Sequence, residues 1–361
     1  MSGIALLVLV IALQVPALVN AQTPEESERL KQLEQRVKEL EQQTKSTQSS
    51  PSMQSSLQNS HFSLYGSLRP TLEYQDKSDE VWDIGDALSR LGVKADTEFV
   101  AGWRAIAQGE WKIRLDDNGQ FGEARLAFAG LASPYGQLTF GRQRPVQYTL
   151  VAEYIDIFNN ANSPFGYNQE SPFFVNNALI YEGKFKPVTM MVSATFDGNT
   201  GGGGADTVNL GAGFDQNGFH LGIAYLQKDT YVDSNRTGEE QLTGGVISYE
   251  FSNGIYAAVG YQNKEYEFET ATNRTGNTFD SALAIPFASA YKLKLGYFGF
   301  KDGIKDISSQ DYDGYNLTLE WQPTTNVRMH LEYLQQNNEQ REDDTIIALG
   351  GRYDFDLNWQ L

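Results

Sequence analysis

From residue 61 to the end of the chain, hydrophobic and polar residues alternate in short runs separated by turn-forming residues. In the last such run, from Tyr353 to Leu361, aromatic or aliphatic side chains alternate with charged or amide ones without a break. Because successive side chains of a β-strand point to opposite faces, this run predicts a strand with one apolar and one polar face. One strand of this kind would also fit a soluble sheet, but the pattern recurs at 64–74, 125–128, 188–196, 219–225, 291–297, 315–321 and 327–333.

The connections between these runs alternate between short and long. The short ones are predicted turns at 95–98, 133–136, 184–187, 215–218, 252–254, 285–288 and 322–325. The long ones are polar stretches at about 77–88, 115–121, 144–176, 197–206, 228–240, 265–277, 301–312 and 336–343. These fifteen connections would join sixteen strands. We therefore predict an all-β membrane protein over 61–361, a 16-stranded antiparallel transmembrane β-barrel whose lumen is filled with water.

The first 60 residues predict three different segments. Residues 4–13 are continuously apolar but shorter than the ~20 residues that span a bilayer, so 1–21 is predicted to be a secretory signal rather than an anchor. Residues 44–60 are rich in Ser and Gln and predict a linker. Residues 22–43 predict a short α-helical coiled coil in the periplasm, or alternatively a solvated helix, from apolar residues spaced by three and four: Leu30, Leu33, Val37 and Leu40.

Composition excludes several classes of protein. The chain has 361 residues, 28 Lys and Arg, 46 Asp and Glu, a net charge of −18 and no Cys. These values argue against a basic nucleic-acid binder, a disulfide framework and thiol catalysis. The mean hydropathy of −0.44 resembles that of a soluble protein, yet 19 Tyr and 20 Phe are many for so polar a chain. A transmembrane barrel has an apolar outer face in lipid and a polar inner face in water, so its mean hydropathy can resemble that of a soluble protein although it is rich in aromatic residues.

Three segments resemble the Gram-negative general diffusion porins. FSLYGSLRPTLEY at 62–74 resembles the first strand of that family and SRLGVKA at 89–95 its second strand. RLAFAGLASPYGQLTFGRQ at 125–143 resembles the family block R-x-A-F-x-G-L-x-x-x-x-G-x-x-x-x-G-R-Q, which is the most specific of the three. The resemblance implies a homotrimer in the bacterial outer membrane, a third loop folded into the lumen, and passive diffusion of small hydrophilic solutes.

The long connection at 144–176 matches that third loop in position. Its carboxylates Glu153 and Asp156 lie among many aromatic residues, which suggests a loop packed against the inner wall rather than an outer lid. The family resemblance implies a facing ladder of arginines at Arg90, Arg125 and Arg142, where Arg142 needs an inward bend of the chain. Alternation along the strands adds Arg69 and Arg104 to this predicted basic wall.

The sequence departs from the family pattern in three ways. The chain ends in Leu361 where the family normally ends in Phe, and the acidic, proline-containing segment of the third loop is not reproduced. A further basic position of the family corresponds here to Asn176 or Asn177. The predicted coiled coil is absent from most members, although some substrate-preferring trimeric porins resemble this layout.

These features predict an outer-membrane channel with three kinds of partner: other copies of itself, membrane lipids with lipopolysaccharide, and small hydrophilic solutes. No nucleic acid, metal or cofactor is expected. A channel that prefers one solute class, such as small carboxylates, is the alternative. An outer-membrane hydrolase is a more distant alternative. His61 precedes the barrel, and His220 and His330 occupy strand positions predicted to face the lumen, whereas a site acting on lipid would face outward.

Overall fold

A computed structural model of the chain describes residues 35, 36, 38, 59–76, 80–117, 119–160, 163–167, 171–196, 204–232 and 235–360. The chain forms two compact units, Met1–Ser55 and Ser56–Leu361. In the first unit, residues 35, 36 and 38 are helical. The predicted signal and the coiled-coil core residues Leu30, Leu33, Val37 and Leu40 lie outside the described residues. No helix in the described part of the chain is both long and apolar enough to cross a bilayer.

Eighteen strand segments form one sheet in the described part of the second unit. They are β1 (Ser60–Leu68), β2 (Pro70–Asp76), β3 (Glu80–Asp86), β4 (Arg90–Val100), β5 (Trp103–Ile113), β6 (Phe121–Ser133), β7 (Gly136–Gln143), β8 (Val175–Phe185), β9 (Val188–Thr195), β10 (Thr207–Gln216), β11 (Phe219–Val232), β12 (Asn235–Glu250), β13 (Tyr256–Phe268), β14 (Arg274–Phe287), β15 (Tyr291–Lys301), β16 (Tyr312–Trp321), β17 (Val327–Asn338) and β18 (Asp344–Gln360). Between β7 and β8 lie a short helix, α1 (Val146–Leu150), and a 3₁₀ turn (Ala152–Tyr154).

The sheet closes on itself as an antiparallel barrel. Strand β18 pairs with both β1 and β2, while β1 pairs with β4 and β2 with β3. Thus β1 and β2 are two halves of one spanning strand, interrupted only at Arg69, and β3 and β4 are two halves of the next. A backbone hydrogen bond from Ala87 N to Arg69 O, of 2.9 Å, joins the two interruptions. The barrel therefore has sixteen spanning strands, which confirms the prediction.

The two faces of the strands differ as the alternation predicts. In β16, Leu317 and Leu319 point outward and are more than 40% exposed, whereas the intervening Thr318 and Glu320 point into the lumen and are buried. The same arrangement recurs around the barrel, so its outer surface is a continuous apolar band. Such a surface needs lipid around it, and the antiparallel pairing around the closed barrel joins the backbone groups of neighbouring strands by hydrogen bonds.

Several predicted connections differ from the structure, including the turn at 285–288, of which residues 285–287 belong to β14. The turn predicted at 95–98 is part of β4, and the chain turns instead at 101–102, where Gly102 has a φ of +77°. The polar stretch at 77–88 contains β3, and most of the stretch at 228–240 belongs to β11 and β12. The physical reason is that backbone pairing does not require apolar side chains, so hairpins continue past the apolar band with polar residues.

Candidate functional site

The connection between β7 and β8, which we call the constriction loop (144–174), lies inside the barrel. Its apolar side chains pack against inward-facing residues of the wall and form with them the apolar core of the described residues. The buried loop members include Val146, Leu150, Val151, Ile155 and Phe165, and the buried wall members include Ile180, Met191, Ala224, Val246, Ala258, Ala282 and Phe298. The loop is therefore part of the inner wall, as the sequence predicts, and not an outer lid.

A row of inward-facing glycines makes room for this loop. At each of these positions a Cβ atom would collide with a loop atom, so only glycine allows the loop backbone and side chains to approach the sheet this closely. The glycines lie on β11, β12, β13, β15 and β16, and the contacts are Leu150 over Gly222, Gln147 over Gly244, Ile155 over Gly260, Phe158 over Gly296 and Pro164 over Gly314.

Buried carboxylates of the wall hold the backbone of the loop beyond its helical part. The backbone N–H groups of Asn159 and Asn160 donate to Glu332, at 3.2 and 3.1 Å, and the side chain of Asn159 donates to Glu320 at 3.0 Å. Lys294 also donates to Glu320, at 2.8 Å. Since this part of the loop has no regular structure, these carboxylates satisfy N–H groups that would otherwise be buried without partners.

Further along the loop, a carboxylate on β14 has the same role. Asp280 is 2% exposed and accepts hydrogen bonds from the backbone N–H groups of Gly166, at 2.7 Å, and Tyr167, at 3.1 Å. The hydroxyl of Tyr312 donates to the backbone oxygen of Phe165 at 3.1 Å. The loop is thus anchored to β14 and β16 as well as to β17.

At its other end, the loop is held by His220 on β11. The imidazole Nε2 lies 3.0 Å from the backbone oxygen of Leu150, and Nδ1 lies 2.7 Å from a carboxylate oxygen of Asp215. The ring of Tyr154 stacks on the imidazole, with centroids 3.3 Å apart. Both ring nitrogens of His220 thus lie within hydrogen-bond distance of an oxygen atom, and the ring links the loop to β10 and β11.

The wall opposite the loop carries a group of arginines. Arg125 on β6 donates from Nε to Glu110 at 2.7 Å, and Arg90 on β4 lies 3.9 Å from the same carboxylate. Arg69, between β1 and β2, is close enough to Arg90, Arg125 and Arg352 for their charges to interact. Three of the five arginines predicted for this wall are therefore brought together.

Of the other two predicted arginines, Arg142 lies beside Arg125, against the same Phe174 ring, and Arg104 lies elsewhere. Arg104, near the start of β5, forms an ion pair with Asp96 and contacts His61 at the short-turn end, so it does not belong to the group opposite the loop. Arg142 reaches the lumen because the chain bends at Gly141, whose φ is +126° and where the pairing of β7 with β8 shifts register. Its Nη1 then donates to Asn176 at 2.6 Å.

The loop presents its two carboxylates to the water of the lumen. Asp156 accepts a hydrogen bond from the Tyr148 hydroxyl at 2.9 Å and interacts electrostatically with Arg69 and Arg125 across the gap. Glu153 is also exposed to the lumen. The narrow part of the lumen therefore has carboxylates on the loop and guanidinium groups on the facing wall.

Sequence and structure comparisons identify the class of protein with this arrangement. A family model described as Gram-negative porin matches residues 46–358. The chain belongs to the Gram-negative porin family. This porin is 23% identical over 292 residues to the porin-like protein L of Photobacterium profundum, a match that covers 74% of this chain and 80% of that protein.

Solved structures share the fold of this porin at low sequence identity. An anion-selective porin from Comamonas acidovorans superposes with a TM-score of 0.70 at 17% identity, covering 82% of this chain and all of that one. The trimer form of OmpT of Vibrio cholerae gives 0.65 at 17% identity, covering 82% and 99% of the two chains. OmpF of Salmonella typhi in complex with daunomycin gives 0.66 at 17% identity, covering 81% and 97%. The protein is thus an outer-membrane channel for passive diffusion of small hydrophilic solutes.

Alternation along the sequence missed several charged groups of the channel. Arg328 and Arg352 both point into the lumen and lie directly opposite each other on β17 and β18. Alternation puts both residues on the polar face of their strands, but it does not show that they are neighbours, because that depends on the register of the two strands. Alternation also does not identify Glu110 or Arg144. Glu110 lies on a strand, but alternation does not predict which residues form ion pairs. Arg144 lies in the constriction loop, where side chains do not alternate regularly.

The barrel around the loop changes the acidity of its carboxyl groups. Burial is the main cause that raises the pKa of Asp156, while the hydrogen bond from Tyr148 and the charge of Arg144 act in the opposite direction. Burial also raises the pKa of Glu153, again opposed by Arg144. Although water reaches both groups, the protein around them replaces part of their hydration.

The glycines under the constriction loop predict that a larger side chain at one of them disturbs the docking of the loop. In the Gly260→Leu variant, the new side chain would displace Ile155, an overpacking that costs roughly 1–3 kcal/mol of loop docking. We expect a lower mean single-channel conductance and more frequent conductance transitions, measured in planar bilayers. Gly351→Leu is the matched control, because a Cβ at this outward position meets no atom within 4 Å. Equal conductance of the two variants would contradict the proposed contact.

The raised pKa values of the two loop carboxyl groups predict how the selectivity of the channel depends on pH. As pH falls, Glu153 and Asp156 lose their charge earlier than freely hydrated carboxyl groups, whose pKa is about 4. The permeability ratio of anions to cations should therefore rise on acidification, with a midpoint above about pH 4. Reversal potentials in a fixed salt gradient measure this ratio. The double variant Glu153→Gln, Asp156→Asn should remove this part of the pH profile, and an unaltered profile would show that other groups cause it.

Proposed function

We propose that this porin is a homotrimeric, non-catalytic diffusion channel whose constriction favours small anions over cations. The observation that carries the proposal is the different state of the two kinds of charge in the lumen. Of the acidic groups, Glu110 and Glu320 are buried and paired with basic side chains. In contrast, no described carboxylate lies within ion-pair distance of Arg69, Arg142 or Arg144, and these three side chains are only half-buried.

The position of these charges gives the constriction a transverse field. Asp156 on the loop faces Arg69 and Arg125 on the wall, so a permeating solute passes between opposite charges. Such a field aligns dipolar, hydrated solutes and penalises apolar ones, which must leave part of their hydration shell. The excess of accessible guanidinium groups over loop carboxylates lowers the energy of an anion more than that of a cation.

The comparisons support this direction of selectivity by analogy. The Comamonas acidovorans porin, whose fold is similar, is described as anion-selective. At 17% identity the likeness concerns the fold, so the argument for this chain rests on its own arginines. The net charge of −18 does not oppose it, because that value sums over the whole chain, whereas selectivity depends on the charges at the constriction.

The surroundings of His220 and His330, the two histidines on the lumen side of the strands, do not favour a hydrolase. His220 faces two acceptors, the carboxylate of Asp215 and the backbone oxygen of Leu150, and is covered by Tyr154. His330 is buried in the wall, at 3% exposure. Neither imidazole is positioned to take a proton from a hydroxyl nucleophile in contact with lipid.

The proposal also includes a trimer and a periplasmic N-terminal segment. The trimer is supported by the trimer form of the OmpT neighbour. The first strand begins at the short-turn end of the barrel, which faces the periplasm in this class of protein. We therefore place residues 22–60 in the periplasm, where a coiled coil of three tethered copies would form more readily than free helices. The long-loop end would meet lipopolysaccharide.

A charge-neutralising variant tests the direction of selectivity. Arg69→Gln removes a half-buried cation that lies opposite the loop, so the permeability ratio of chloride to potassium should fall by about two- to threefold. Reversal potentials across a potassium chloride gradient measure this ratio. Arg104→Gln is the control, since its ion pair lies at the short-turn end and the ratio should change less. Asp156→Asn should raise the ratio. A wild-type channel that prefers potassium would contradict the proposal.

A truncation tests the proposed coiled coil separately from conduction. Removing residues 22–60 should leave channel conductance unchanged but lower the temperature at which the trimer dissociates in detergent, because the helices no longer add to the association. Semi-native electrophoresis over a temperature series measures this temperature. Equal resistance of the two forms would exclude an oligomerising role for the segment.

A further inference from the structure

The tip of the constriction loop is held by two consecutive asparagines that divide their hydrogen bonds in the same way. Both backbone N–H groups donate to Glu332 on β17, at 3.2 Å from Asn159 and 3.1 Å from Asn160. The two side-chain amides reach in opposite directions. That of Asn159 donates to Glu320 on β16 at 3.0 Å, and that of Asn160 donates to Glu73 on β2 at 3.2 Å. The tip therefore links the last strands of the barrel to the first one.

The contact with Glu73 lies across the seam where the barrel closes. Strand β18 separates β17 from β2, and its residue Ala348 is paired in register with Glu332 on one side and with Glu73 on the other. Asn160 has hydrogen bonds to both of these carboxyl groups, so it lies over Ala348 and bridges the seam. Ala348 is 0% exposed, so the wall beneath the tip is completely covered.

Without this bridge, the inner wall at β18 would form a trough. The inward-facing residues at this height are the two smallest ones, Ala348 and Gly350, and they lie between the larger Ile346 and Arg352. The imidazole of His330 lies over Gly350, where a Cβ atom would collide with the ring. Over Ala348 the cover is the loop tip itself. A tip that lifted away from β2 would therefore open a second passage behind the loop.

The wall holds the side chain of Glu73 in the position that the tip needs. The hydroxyl of Thr71 donates to Oε1 at 2.7 Å, and the amide of Gln75 donates to Oε2 at 3.1 Å. Gly85 on the neighbouring strand β3 leaves room for the carboxyl group, because a Cβ atom there would lie 2.9 Å from Oε1. Glu73 is 4% exposed, so a permeating solute does not contact it. What Glu73 controls is the position of the tip.

We propose that Glu73 is a specificity-determining residue that limits the size of the solutes which pass the channel. By fixing Asn160 over β18, it closes the trough behind the loop and leaves one aperture, the gap between the loop and the facing wall. The limit is steric, because pore diameter decides which solutes enter. It applies to neutral solutes as well as to ions, so it does not depend on the proposed anion preference.

A hydrogen-bond acceptor suits this role because the loop tip has no regular structure. Its amide groups need acceptors where they are buried, and a hydrogen bond also fixes the distance and direction of the contact. If the acceptor on β2 is removed, the buried amide of Asn160 loses this partner. The cost of that loss favours tip positions in which water reaches the amide, and such positions uncover the trough.

Permeation of neutral sugars tests the proposal. Proteoliposomes containing the porin are mixed with isotonic arabinose or with the tetrasaccharide stachyose, and the initial swelling rates are compared. In Glu73→Ala, the rate for stachyose relative to arabinose should rise by about threefold, because the second passage admits the larger sugar. Glu73→Gln should keep the wild-type ratio, since its amide oxygen can accept the same hydrogen bond.

The matched control is Glu182→Ala, which should also keep the wild-type ratio. This variant likewise removes an inward-facing carboxyl group, but Glu182 lies on β8 and is paired with Lys184 at 2.9 Å. A loss of one charge from the lumen wall is therefore common to both alanine variants, and a loss of the loop-tip contact is not.

A second variant tests the same contact from the loop. Asn160→Ala removes the hydrogen bond to Glu73, leaves the backbone bond to Glu332 and changes no wall residue, so it decides the question even if Glu73→Ala does not assemble. It should raise the ratio by the same factor, and the double variant should raise it no further, because both changes break one contact. A wild-type ratio in Asn160→Ala would overturn the proposal. A raised ratio in Glu73→Gln would also overturn it, since the effect would then come from charge.

Discussion

Docking of the constriction loop onto a glycine-lined wall is the interaction on which the channel depends. Sixteen strands enclose a lumen too wide to select among small solutes, so selectivity requires that something fill it. The loop fills it because Gly222, Gly244 and Gly260 let it lie directly on the sheet, and because buried carboxylates accept its unpaired N–H groups. The apolar core of this protein accordingly lies between the loop and the wall.

This docking also decides which charges the solute meets. On the side of the loop, Asp280, Glu320 and Glu332 are occupied by loop N–H groups or by Lys294, so they are withdrawn from the water of the lumen. On the facing wall Arg125 is buried, but Arg69, Arg90 and Arg352 are only half-buried. The electrostatic asymmetry of the constriction is thus a consequence of packing, and it does not follow from the net charge of the chain.

The sequence was sufficient for the strands and for the existence of the loop, since an alternation of period two is local and the length of 144–176 is unusual. It was not sufficient for the contacts. Alternation tells which face of the sheet a residue occupies but not its height in the barrel, so it does not show that Arg104 pairs with Asp96 at the short-turn end. The register of β17 and β18 brings Arg328 opposite Arg352, and register depends on the tilt and closure of the whole barrel. The loop contacts of Phe174 have no periodic signal at all.

The arginines of the lumen differ in the group that offsets their charge repulsion, which is a carboxylate for some of them and an aromatic ring for others. Like charges directly opposite each other on neighbouring strands destabilise a sheet, so each arginine needs a nearby group to offset the repulsion. Arg352 has the carboxylate of Asp354 at 2.8 Å, whereas Arg144 has aromatic rings. An arginine held by a carboxylate contributes little net charge and has fewer donors left, while an arginine held by a ring keeps both. The first kind orders the wall, and the second kind is available to a passing anion.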